Sequence, residues 1–106
     1  MGSVDPTLVQ MLAALIFAIG MAVVVCRRNL FFILMGIELM LNAVNLSFVG
    51  FSRTFDSAAA SLDGFIAPLF VIALAAAEAC IGLAMLMMLV RGRQNLDADA
   101  YASMKE

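Results

Sequence analysis

Two glutamates, Glu38 and Glu78, are the only charged residues within three apolar stretches that make up most of this 106-residue chain. The stretches cover residues 8–26 (19 residues), 30–51 (22) and 65–90 (26). Each reaches the roughly 20 residues that a helix needs to cross a hydrocarbon core about 30 Å thick. The other twelve of the six basic and eight acidic residues fall in the 39 remaining positions. That segregation predicts an all-α membrane protein with three transmembrane helices, forming one small domain over residues 1–106 with a polar tail at 91–106.

Composition narrows the chemistry. The chain is 65% hydrophobic and 13% charged, whereas a soluble domain is about 45–50% apolar and about 25% charged. It has no His, no Trp and only two Cys, so the usual ligands of zinc, haem and iron–sulfur clusters are missing. A net charge of −2 and a pI of about 4.8 argue against a nucleic-acid partner. Cys26 lies at the end of the first stretch and Cys80 near the middle of the third, so a disulfide is not expected. The nine Met read as adaptable packing at helix contacts.

Short-loop basic residues set the expected topology. Arg27 and Arg28 separate the first two stretches, and Arg91 and Arg93 follow the third. The opposite side has Arg53, offset by Asp56 and Asp63, and also Asp5. The expectation is an N-terminus outside (periplasmic) and a cytoplasmic C-terminus. The first stretch reads as a span rather than a signal peptide, because its leader holds Asp5 and no Lys or Arg. The loop Arg27-Arg28-Asn29 makes the first two helices an antiparallel pair. Residues 52–64 read as an irregular surface loop, and Pro68 as a first-turn residue whose missing N–H matters little.

The two carboxyl groups then carry the functional argument. At about 1.5 Å per residue, Glu38 lies roughly 15 Å from Arg28 and Glu78 roughly 20 Å from Arg91. Both are near mid-membrane. A central Asp-like charge costs about 2.5–3.5 kcal/mol on the insertion scale, and each Leu, Ile, Val or Phe offsets about 0.3–0.6 kcal/mol. With twelve such residues in the third stretch, insertion tolerates Glu78. An apolar surrounding still disfavours the charged form of a carboxyl, and intramembrane carboxyls typically serve proton relays.

Glu38, Asn42 and Asn45 fall at i, i+4 and i+7, one helical stripe whose amides can support a carboxylate or hold water. In the third stretch Glu78 shares a face with Gly82, beside a small-residue stripe of Ala76, Cys80 and Ala84. The first stretch, with only Gln10 near its outer end, reads as structural or lipid-facing. Three helices cannot seal a proton path alone. The chain is therefore expected to be one subunit of a hetero-oligomeric membrane complex.

The run from Arg27 to Leu30, followed by Gly36-Ile37-Glu38-Leu39-Met40-Leu41-Asn42-Ala43, resembles the second-helix signature of subunit K of the complex I-type NADH:quinone oxidoreductases. Ala75-Ala76-Ala77-Glu78-Ala79-Cys80-Ile81-Gly82-Leu83-Ala84 resembles its third-helix signature, and Arg93-Gln94-Asn95-Leu96-Asp97 its bacterial C-terminal end. The resemblance implies a subunit of the membrane arm, in the bacterial inner membrane, between the small J and A subunits and the antiporter-like N subunit. It implies that Glu38 and Glu78 join a chain of buried charges and water leading from the quinone-side region to the antiporter-like subunits. Arg27 and Arg28 correspond to its basic cytoplasmic loop. FMN, iron–sulfur clusters and quinone are then expected in other subunits, with no cofactor in this chain.

An alternative is a subunit of a related cation/proton antiporter or membrane-bound hydrogenase, which the neighbouring genes would separate from the first reading. A small drug/proton exchanger fits less well, since it has four spans with its acid in the first. A pure scaffold would tolerate loss of both glutamates.

Overall fold

A computed structural model describes residues 4–54, 58–93 and 98. Three helices account for nearly all of them: α1 (Pro6–Cys26), α2 (Leu30–Ser52) and α3 (Ala58–Arg93). The segments Pro6–Cys26, Leu30–Ser52 and Gly64–Gly92 are each long and apolar enough to cross a membrane. The three expected spans are thus present, in an all-helical chain.

Local chemistry starts the first two helices. Asp5 Oδ1 accepts from the Thr7 N–H at 2.9 Å, with Pro6 as the first helical residue. Asn29 Oδ1 accepts from the Phe31 N–H at 2.9 Å in the same way. The Arg27-Arg28-Asn29 loop thus ends α1 and caps α2 within three residues, which makes the two helices antiparallel.

The start of α3 differs from the sequence expectation. Part of the segment read as an irregular loop is helical, because α3 begins at Ala58. Ala58-Ala59-Ala60 supply the reason: alanine has the highest helix propensity, which outweighs the lack of an apolar period there. Pro68 therefore lies inside α3 rather than in its first turn. Without an N–H it leaves the Gly64 carbonyl without its i+4 donor. Residue 56, the side chain of residue 63 and, apart from Ala98, the tail from 94 onward lie outside the described residues.

Packing places α2 in the middle, with α1 on one side and α3 on the other. The α1 side uses small residues seven apart, Ala13 and Gly20 on α1 against Gly36, Ala43 and Gly50 on α2, all buried. Seven residues return a helix to nearly the same face, so such spacing gives one continuous seam. The backbones meet at Gly20 and Gly36: a Cβ added at Gly20 would lie 2.8 Å from the Gly36 carbonyl oxygen. Close backbone approach is the main attraction available to helices in lipid, where apolar side chains gain little by leaving the tails.

One side-chain pair locks this seam. Gln10 Nε2 donates to the Ser47 carbonyl at 2.9 Å, and the Ser47 hydroxyl donates to Gln10 Oε1 at 2.5 Å. α1 is therefore a packed partner of α2, and Gln10 is the reason at its outer end. We expect Gln10→Leu to weaken the pair by about 0.6 kcal/mol, and by no more than about 1.7 kcal/mol. Thermal unfolding of the complex in detergent, with subunit retention as the readout, checks this.

The α3 side is less covered. Leu69 is 65% exposed, Phe70 68% and Met88 75%, so most of α3 is left to lipid or to other chains.

Candidate functional site

The α2–α3 seam sets the geometry of the two glutamates. Gly64 packs against Ser52, and a Cβ added at Gly82 would come 2.9 Å from Leu34 Cδ1. The two contacts are eighteen residues apart on each helix. Eighteen residues make five full turns, so a single face of each helix holds the seam throughout. The helices run antiparallel, one residue for one residue. Counting four residues onward from Leu34 and four back from Gly82 brings Glu38 level with Glu78.

The carboxylates share a depth without touching. Four residues turn a helix about 400°, so each glutamate projects about 40° off the line of contact. Because the helices are antiparallel, these offsets open on opposite sides of the seam. Glu38 is half-buried and Glu78 exposed. Among the described residues no hydrogen bond or ion pair joins them.

The structure separates the two asparagines expected on one stripe with Glu38. Asn42 is exposed, on the open side of α2. Asn45 is 9% exposed and faces α3, about 20° from Leu34 and on the Glu38 side of the seam. Its Oδ1 is buried and accepts no hydrogen bond from the described residues. The small-residue stripe Ala76, Cys80 and Ala84 is exposed and turned away from α2, whereas Gly64 and Gly82 form the contact.

Polar residues missed by the sequence reading complete the seam. Ser52, 2% exposed, donates to the Val49 carbonyl at 2.7 Å. Glu38, Asn45 and Ser52 are spaced by seven residues, as are Gly36, Ala43 and Gly50 on the opposite face. α2 therefore carries a small-residue face toward α1 and a polar-dotted face toward α3. The spacing was present in the sequence as a signal.

At the other end, the Arg27 guanidinium sits 4.4 Å from the centre of the Phe32 ring, folding the loop back onto α2. Arg28 is exposed, and its carbonyl accepts from the Ala98 N–H at 3.0 Å, which ties the loop to Ala98. Arg53 lies over Phe65 at 5.3 Å, linking the ends of α2 and α3. Cys26 and Cys80 are free and exposed. Among the described residues, no three His, Cys, Asp or Glu side chains group as metal ligands.

A family model described as NADH-ubiquinone/plastoquinone oxidoreductase chain 4L matches residues 8–106. NADH-quinone oxidoreductase subunit K of Nitrosospira multiformis is 47% identical over 95 residues, covering 90% of this chain and 89% of that one. Subunit K of Thermomicrobium roseum is 43% identical over 106 residues and covers 100% of both chains. The chloroplastic NAD(P)H-quinone oxidoreductase subunit 4L of Chlorokybus atmophyticus is 40% identical over 94 residues, covering 89% of this chain and 91% of that one. The family model and these relatives match nearly the whole chain, and the chain belongs to the NADH-quinone oxidoreductase subunit K/4L family.

Proposed function

We propose that this chain is a proton-translocating subunit of the membrane arm of a respiratory NADH:quinone oxidoreductase. Glu38 and Glu78 are its proton-carrying groups. The observation that carries the reading is their common level on two packed helices, at a depth where a carboxyl has little reason to be unless it is used. Two carboxyls so placed can exchange protons through intervening water or through partner side chains without a direct bond.

The surroundings support a subunit rather than an independent transporter. Glu78 is exposed within the chain, and α3 leaves most of its apolar surface uncovered. A charged or protonated carboxyl facing lipid is costly, so this face calls for neighbouring helices. We assign those neighbours to other membrane subunits of the complex: the small J and A subunits and the antiporter-like N subunit. The N-terminus is placed on the periplasmic side of the bacterial inner membrane, with Arg27, Arg28 and Arg91 on the cytoplasmic side, following the basic residues. FMN, iron–sulfur clusters and quinone are assigned to other subunits, since this chain has no His and its two thiols sit on different helices.

The reading orders the two glutamates. Glu38 has Asn45 on its own side of the seam, whereas Glu78 depends on whatever chain covers α3. We expect Glu78→Gln to slow coupled quinone reduction by a factor that stays within about tenfold, and Glu38→Gln to slow it more. Coupled NADH:quinone activity in membranes, normalised to NADH oxidation by an artificial acceptor, checks both. Wild-type coupled activity in Glu38→Gln would remove the assignment.

A further inference from the structure

We infer that Asn45 binds a buried water in the α2–α3 seam, and that this water extends the reach of Glu38 toward the loop joining α2 to α3. The inference rests on the reading of Glu38 as a proton carrier for its consequence, but the site itself stands on geometry. A buried amide oxygen without a partner forfeits a hydrogen bond, and native proteins usually satisfy such groups with protein or ordered water. Among the described residues, none donates to the buried Asn45 Oδ1. Whichever way round the amide lies, one of its polar atoms occupies that position.

The helical register places small and polar groups around it. Asn45 is level with Val71 in the antiparallel register. Taken about their own axes, Glu38, Asn45 and Pro68 all open on the same side of the seam. On that side α3 presents Ala75, level with Leu41 between Asn45 and Glu38, so a methyl group faces the seam there. Glu38 and Asn45 are seven residues apart, about 10 Å along the axis, a span for about two waters. Pro68 lies about 4.5 Å beyond Asn45, and its missing N–H leaves the Gly64 carbonyl, nearer the loop, as an acceptor for a further water. A bound water needs two to four polar partners. The Asn45 amide and a second water toward Glu38 supply two.

The chemistry is proton transfer along hydrogen-bonded water, with no net change in the water: Glu38 releases a proton to one end and a proton leaves at the other. This line runs along the membrane normal, and so differs from the lateral path toward neighbouring subunits.

The test uses the intact complex. A structure at a resolution that shows ordered water is expected to place a peak within hydrogen-bond distance of the Asn45 amide, and Asn45→Val is expected to lose it. An amide bonded to a protein group with no water there overturns the site. Coupled turnover is expected to fall about fivefold in Asn45→Val, the rate equivalent of one lost hydrogen bond, and to recover in Asn45→Ser. Ala75→Leu, which fills the space and keeps the amide, should lower turnover by a similar factor. Loss of turnover in Glu38→Gln but not in Asn45→Val or Ala75→Leu overturns the line toward the α2–α3 loop. Full turnover in Glu38→Gln with the water in place instead removes the proposed function and leaves the water site standing.

Discussion

Glu38→Gln is expected to lower coupled NADH:quinone turnover by at least about tenfold, the lower range for removing a positioned proton donor or acceptor. Gln keeps the size and hydrogen-bonding capacity of Glu but cannot take up and release a proton at this position. Assembly should therefore survive. Glu38 is half-buried, level with Glu78 and flanked by Asn45 on one side of a seam held by Gly82 and Leu34, and a neutral amide suits each of those contacts. Purification of the intact complex, with unchanged NADH oxidation by an artificial acceptor, would show that the loss lies in coupling. Glu38→Asp, which retains the carboxyl on a shorter stem, should recover part of the activity. A packing role would give the opposite pattern, with Gln near wild type and Asp impaired.

A leucine at Gly36 is expected to remove the subunit from the complex. A Cβ there would already lie 2.8 Å from Val24 Cγ2 and 3.0 Å from the Gly20 carbonyl oxygen, and three further carbons have nowhere to go. One obstacle is backbone, so rotamer changes cannot relieve it and α1 must move off α2. Overpacking typically costs about 1–3 kcal/mol. A pair of helices in lipid has only close packing and a few hydrogen bonds to set against that loss. We expect subunit levels in native membranes to fall sharply, with coupled activity falling in parallel. Gly92→Ala is the control, since a Cβ there meets nothing within 4 Å. Normal levels of a Gly36→Leu chain would mean that α1 and α2 are not held by their glycine contact.

The spans were legible in the sequence because charge avoids the hydrocarbon core, and because run length alone separates a span from a core helix. The two glutamates stood out for the same reason. Which neighbour each face of α2 meets was not legible. Glu38, Asn42 and Asn45 lie within one helical stripe, but α2 is flanked on two sides, and only the position of α3 decides that Asn45 is buried while Asn42 is exposed. The contact residues Ala13 and Gly20 on α1, and Gly36, Ala43 and Gly50 on α2, carry a seven-residue spacing that is visible in the sequence. The stripe Ala76, Cys80 and Ala84 looked equally small, and the structure turns it away from α2. Small residues show where a helix can be approached, and the approaching helix has to be found in the fold. The early start of α3 was hidden because Ala58-Ala59-Ala60 sit among polar residues, where propensity rather than pattern builds the helix.

The central claim is that the carboxyl of Glu38 changes its protonation when the complex works. Reaction-induced infrared difference spectroscopy on the intact complex, triggered by NADH in the presence of quinone, measures this directly. The account predicts a protonated-carboxyl band in the wild-type difference spectrum that is missing from Glu38→Gln and retained in Gly92→Ala. An identical set of carboxyl bands in wild type and Glu38→Gln would contradict it.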